Sequence, residues 1–195
     1  MKRAGIDLGL SDNDKITLLK LARDTIKARA SGKKLPKISE LGDKLTPLLK
    51  EKCGAFVTLH KKGNLRGCIG YIEGFKPLAE TIQEMAVSAG FQDPRFPPVQ
   101  SEEVDALDIE ISVLTPLKLI KDIKEIEVGK HGIYIKSGFY SGLLLPQVAM
   151  EYNWDRETFL SQTCRKAGLN IDEWKKKNTE IYIFSADIFG EKDFS

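Results

Sequence analysis

Residues 64–70 read NLRGCIG, which sets Cys68 two positions after Arg66, with Gly67 and Gly70 on either side of the thiol. Extended over residues 65–72, this segment alternates its side chains. Arg66, Cys68 and Ile72 then point one way and Leu65, Ile69 and Tyr71 the other. The second trio makes the better core face, which leaves guanidinium and thiol together on the more polar one. Same-face neighbours two apart lie roughly 6–7 Å from each other, a range at which arginine favours thiolate over thiol. A glycine inside a strand marks a bulge, or a place where backbone or ligand comes close. The pattern offers a nucleophilic or redox thiol; the competing reading is a small buried residue that fills space. Cys53 follows two charged residues at a helix end, and Cys164 stands on a helix between Thr163 and Arg165, so both read as structural.

Further residues able to assist such a thiol are scattered along the chain. Asp93 and Arg95 straddle Pro94 in FQDPRFPPV, where prolines at 94, 97 and 98 dictate a stiff loop. The arginine fork there can bind a carboxylate or phosphate, or the pair can tie the loop to the body of the protein. Glu110 lies on the polar face of ALDIEISVLTP, as a general base or as the ion-pair partner of Arg66. Gln147 follows Pro146 at a helix start, where backbone donors and carboxamide can bind an anion or serve as a cap. Of the two histidines, His131 opens a strand and is a candidate base for Cys68, while His60, beside a lysine-rich turn, reads as solvated. Two histidines with no carboxylate at ligand spacing, and no CxxC, argue against a dedicated metal site. Nothing in the sequence names a cofactor.

The elements that must position these groups follow from periodicity. Ser11 or Asp12 caps a helix carrying Ile16, Leu19, Ala22, Ile26 and Ala30 at helical spacing, with Gly32 as its stop. A second helix is expected from about Ile38 to Lys50, although Pro47 falls within it. The sequence KKGN joins Phe56–His60 and Leu65–Ile72 as a hairpin, its Gly and Asn accepting positive φ. KPLAETIQEMAVSAG is a helix with Pro77 in its first turn and Gly90 at its end. Leu107, Ile109, Ile111 and Val113 alternate with Asp108, Glu110 and Ser112 in a half-buried strand. A second hairpin bends at Gly138 and Gly142. Two short helices then break near Asn153, the second capped by Asn153 or Asp155 and stopped at Gly168, and TEIYIFSADIFG closes the chain as a strand. The class expected is α/β of α+β character: largely antiparallel sheets flanked by helices. Strand pairs followed by helices recur at 55–90 and 132–168, as an internal duplication would give, though no residue-level repeat accompanies them.

Composition narrows the remaining choices. A net charge of +2, with both signs interleaved, gives no whole-chain nucleic-acid signature. No apolar run approaches the ~18 residues of a membrane span, and the N-terminus carries no sustained apolar run of a signal peptide. Three widely spaced cysteines make no disulfide framework, which points to a reducing cytoplasm.

A longer series of motifs surrounds the hexapeptide: LRGCIG (65–70), FVTL (56–59), DPRFPP (93–98), EISVLTP (110–116), HGI (131–133), GLLLPQVA (142–149) and CRKAGL (164–169), then Trp174. In this order they resemble the AMMECR-type family, named after the human chromosomal region of Alport syndrome, midface hypoplasia and elliptocytosis. The likeness covers about residues 13–189 of what is expected to be a single domain over 1–195. It implies an α/β fold of two closely associated lobes with LRGCIG near a cleft between them. It assigns no biochemical activity, although relatives fused to or encoded beside Memo-like and radical S-adenosylmethionine proteins imply an enzymatic pathway. Arg66, Gly67, Cys68, Asp93, Arg95, Glu110 and Gln147 carry over as motif positions.

Three function classes fit these readings. The first is a cleft enzyme or ligand-binding protein using Cys68 and Arg66, with Glu110 or His131 moving protons. The second binds nucleic acid through short basic runs (33–37, 60–66, 174–178) beside Trp174, Phe139, Tyr140 and Tyr152. The third is an adaptor that grips a protein partner or small ligand in the cleft. The first leads, because a rigid proline loop and a glycine-flanked polar strand are costly ways to build a plain surface.

Overall fold

The structure is a computed structural model and describes residues 4–194. The chain forms two compact units. One runs from Gly9 to Leu114 and takes in the C-terminal residues from Ile188; the other joins the N-terminal residues up to Leu8 to Thr115–Asp187. They are called here the Cys68 unit and the Cys164 unit.

The Cys68 unit begins with α1 (Asp12–Ala30), closed by a reciprocal cap: Ser11 Oγ accepts from the Asp14 amide at 3.2 Å, and the Asp14 carboxylate accepts from the Ser11 amide at 3.0 Å. Its buried stripe includes Leu18, Leu21, Ala22 and Ile26, whereas Ile16 is 44% exposed, so the apolar face is rotated from the one expected. The single helix expected from Ile38 to Lys50 is instead a 3-10 helix (Ile38–Lys44), kinked at Gly42 with φ 54°, and the single turn α2 (Pro47–Lys50). Pro47 cannot donate into a preceding helix and so starts a new one.

The hairpin β1 (Ala55–Lys61) and β2 (Asn64–Tyr71) turns on Lys62 and Gly63, both at positive φ. Lys62 thus takes the position expected of Asn64, which opens β2 instead. After Pro77 comes α3 (Leu78–Phe91); Gly90 lies buried in its last turn rather than ending it. β3 (Leu107–Leu114) pairs antiparallel with β1 on the side away from β2. Val57, Leu59, Ile109 and Ile111 are sealed from water on one face of these strands, and α3 packs on β1, β2 and α1.

The Cys164 unit contains β4 (Lys118–Ile120), a short strand the sequence did not announce, and the hairpin β5 (His131–Ser137) with β6 (Tyr140–Leu144). The bend falls at Gly138, with φ 58°. Gly142 is not at the bend but inside β6, where an added Cβ would lie 2.7 Å from the backbone of Ala167. α4 (Pro146–Glu151) and α5 (Arg156–Lys166) are separated by Asn153 at φ 51°, and the Asp155 carboxylate caps α5 by accepting from the Thr158 amide. β7 (Glu180–Gly190) pairs antiparallel with β4 and β5. Ile133, Ile135, Phe159, Leu160, Cys164 and Ile183 form the core. The fold is mixed α/β, with antiparallel strand pairs flanked by helices. Among the described residues no helix is long and apolar enough to cross a membrane.

Candidate functional site

The site is set by one inserted residue. His60 pairs with Leu65 but Leu59 pairs with Gly67, so Arg66 has no opposite number on β1 and forms a bulge. A regular ladder from this turn would put Gly67 opposite Thr58; the bulge puts Cys68 there instead. It also breaks the simple alternation across 65–72. Ile69 and Tyr71 keep the core face, but Leu65 leaves it and is 42% exposed. Thr58 Oγ1 donates to Cys68 Sγ at 3.2 Å. Glu110 faces Thr58 from β3, so Cys68, Thr58 and Glu110 stand in one row across three strands. Two interstrand spacings separate the ends of that row, about 10 Å.

The motif glycines are explained by the protein's own packing. A Cβ on Gly67 would overlap the carbonyl oxygen of Ala89 at the end of α3, and one on Gly70 would overlap the Phe56 ring. Of the reasons a strand glycine can have, close approach of backbone and side chain applies here.

β2 is an edge strand, and the stiff loop covers its rim at Cys68. Asp93, buried to 3% exposure, accepts from the Cys68 amide at 2.9 Å. Arg95 Nη2 donates to the Cys68 carbonyl at 3.2 Å. The pair is itself joined by Arg95 Nε to Asp93 Oδ1 (2.9 Å) and Nη2 to Oδ2 (2.6 Å). Carboxylate and guanidinium thus stand in for the acceptor and donor of a neighbouring strand. The Arg95 hydrogen bonds, helped by the Cys68 amide and opposed by burial, hold Asp93 at about 2. Arg95 is shifted upward, chiefly by Asp93, with the Cys68 side chain among the lesser contributors, so its charge reaches the thiol.

Arg66 is engaged by Glu103 rather than Glu110: its Nη2 donates to Glu103 Oε1 at 2.6 Å, while Lys61 Nζ donates to Oε2 at 2.6 Å. These bonds, Arg66 first, bring Glu103 down to about 2. The Arg66 side chain is 11% exposed, and its Nη1 is buried with no acceptor in the protein. An unmet buried donor costs about 1–3 kcal/mol. The ring of Phe96 lies against both guanidinium groups, 6.0 Å from that of Arg66 and 5.5 Å from that of Arg95.

Cys68, Arg66, Gly67, Asp93, Arg95 and Glu110 therefore all belong to the Cys68 unit, whereas His131 and Gln147 belong to the other. His131 Nδ1 accepts from the Glu127 amide at 3.1 Å, and burial followed by the Lys130 charge lowers its pKa, which keeps the ring neutral at pH 7. Gln147 is half-buried in α4, a helix of one and a half turns. Sequence reasoning missed Thr58, Phe96 and Glu103. The acidic run after the proline loop marks Glu103 as a helix-turn residue, since it accepts from the Gln100 amide at 3.1 Å, but nothing local pairs it with Arg66.

Several cations of the basic runs pair within the chain: Lys61 with Glu103, Lys175 with Asp172 and Lys176 with Glu173. Trp174 packs on the core of its unit and donates Nε1 to Ser161. Phe139, Tyr140 and Tyr152 are exposed. No group of three metal-ligating side chains occurs among the described residues.

These observations define an antiparallel α/β protein with a half-buried thiol on an edge strand, within reach of the Arg95 charge. The chain belongs to the AMMECR1 family, whose pattern matches residues 19–189. It is 47% identical over 189 residues to a protein of Methanosarcina barkeri, covering 94% of this chain and 93% of that one. It is also 47% identical over 188 residues to a protein of Methanothermobacter thermautotrophicus, covering 93% and 96%. The crystal structure of an uncharacterized protein from Pyrococcus horikoshii superposes with a TM-score of 0.88 at 41% identity, covering 94% of each chain.

Proposed function

We propose that the protein is a thiol-dependent enzyme or ligand-binding protein that presents Cys68 as a reactive thiolate. The observation that carries this reading is the hydrogen bond from Thr58 Oγ1 to Cys68 Sγ at 3.2 Å, on a half-buried side chain within reach of the Arg95 charge. A donated hydrogen bond and a nearby guanidinium both favour the ionised sulfur. Cys68 is the nucleophile, Arg95 and Arg66 supply positive charge, and Asp93 fixes the Cys68 backbone. The thiol proton leaves to solvent or to Glu110, which stands in the same cross-strand row. Such a thiol needs a reducing compartment, which the cytoplasm provides.

The experiment is differential alkylation with iodoacetamide across a pH series, read by mass spectrometry at each cysteine. A lowered thiol pKa raises the thiolate fraction at neutral pH, partly offset by lower intrinsic nucleophilicity. The expected result is labelling at Cys68 about 5-fold faster than at Cys53, whose thiol burial and Glu51 push up, and a loss of that advantage in Thr58→Val. A Cys68 that titrates like an ordinary thiol and reacts no faster than Cys53 overturns the reading.

A further inference from the structure

We infer that the Arg66–Phe96–Arg95 stack is a carboxylate subsite, so that the ligand of Cys68 is a small molecule bearing one carboxylate group. This inference rests on the thiol reading above and adds a substrate class to it.

The donors are specific. Arg66 spends Nε and Nη2 on Glu103, leaving both hydrogens of Nη1 without an acceptor in the protein although the atom is buried. Arg95 spends Nε and Nη2 on Asp93 and the Cys68 carbonyl; its Nη1 makes none of those bonds, and its side chain is 40% exposed. Both guanidinium groups lie against the same Phe96 ring, on a loop whose prolines hold it stiff. The donors are therefore pre-positioned, and little side-chain freedom is lost when an anion binds.

Charge sets the class. Lys61, Arg66 and Arg95 face Asp93 and Glu103, both carboxylates held ionised by those same cations. Those two carboxylates already stand among the three cations, so a phosphate dianion meets more repulsion there than a singly charged carboxylate does. Planar carboxylate oxygens also match the geometry of a guanidinium edge. The subsite adjoins the thiol because Arg95 bonds the backbone of Cys68 itself.

The test compares two alkylating reagents of similar shape, iodoacetate and its neutral counterpart iodoacetamide. In each, the Cys68 thiolate forms a sulfur–carbon bond to the methylene, iodide leaves, and the thiol proton has gone to buffer. The expected result is an iodoacetate-to-iodoacetamide rate ratio at Cys68 about tenfold above that at Cys53 in the same molecule. That excess disappears in Arg66→Gln, or in Arg95→Gln, whose side chain is the more exposed, should the first variant fold poorly. Acetate slows iodoacetamide labelling of the wild-type protein more than inorganic phosphate does at equal ionic strength. Rapid iodoacetamide labelling with no iodoacetate preference overturns the subsite alone. Stronger protection by phosphate overturns the carboxylate assignment. Slow labelling of Cys68 by both reagents overturns the thiol reading and the subsite with it.

Discussion

Each unit presses a hairpin against a helix by means of a strand glycine. In the Cys164 unit Gly142 of β6 lets the strand meet the end of α5 at Ala167; in the Cys68 unit Gly67 of β2 lets the strand meet the end of α3 at Ala89. The cysteines beside these contacts have opposite surroundings. Cys164 is sealed at 0% exposure among Ile133, Ile135 and Phe159, and burial pushes its thiol up. Cys68 is half-buried, bonded by a threonine hydroxyl, and bordered by Asp93 and Arg95. The hairpin–helix contact is thus a packing solution. What separates an inert thiol from a candidate reactive one is the inserted Arg66 and the loop that follows α3.

The sharpest way to break this parallel is to fill both glycine contacts. Gly67→Ala should cost about 3 kcal/mol of unfolding free energy, because its Cβ would overlap a helix carbonyl oxygen. Gly142→Ala, with its Cβ at 2.7 Å from Ala167, should cost about 1–2 kcal/mol. Urea titrations measure both, and equal costs would mean that the two contacts are equally yielding.

Next in size is replacement of each sulfur by oxygen. Cys164→Ser puts a hydroxyl into an apolar core and should cost about 2 kcal/mol. Cys68→Ser, in a site already lined with donors, should stay within about 0.5 kcal/mol. A larger loss for Cys68→Ser would make that cysteine a packing residue.

A more gradual effect is acid sensitivity. Asp93 and Glu103 hold folded-state values of about 2 against ordinary values of 3.8 and 4.5. Depressed carboxylates stabilise the folded state above their ordinary values, and that stabilisation drains away as pH falls from about 4.5 toward 2. With Arg95 partly exposed, each contributes on the order of 1 kcal/mol. Hydrogen exchange, corrected for intrinsic rates, should therefore show β2 amides loosening ahead of α5 amides over that window. Simultaneous loosening would remove the electrostatic distinction between the units.

Much of this was legible in the chain. The Ser11 cap, both hairpins, the alternation of β3 and the Asp155 cap all follow from signals that act within a few residues. The elements that failed are those in which a local signal competed with another: Gly42 and Pro47 divide the expected second helix, Gly90 lies inside α3 rather than ending it, and Gly142 serves close packing rather than chain reversal. At the site, the sequence pointed to Cys68, Arg66, Asp93 and Arg95 and offered the Asp93–Arg95 pair as a tether for the loop, but not the partners it would hold. The strand glycines allowed for a bulge, but its position at Arg66 is a property of the pairing. The Arg66–Glu103 bond spans 37 residues, and no periodicity reports it.

The cover over the rim of β2 has one more consequence. Because it is made of two side chains rather than another strand, it can be unlatched while every backbone ladder stays intact. Strong acid, or Asp93→Asn, would bare the amide and carbonyl of Cys68 to any extended segment of a neighbouring molecule. The Asp93–Arg95 ion pair therefore shields an open strand edge, so a variant that loosens it should associate edge to edge more readily.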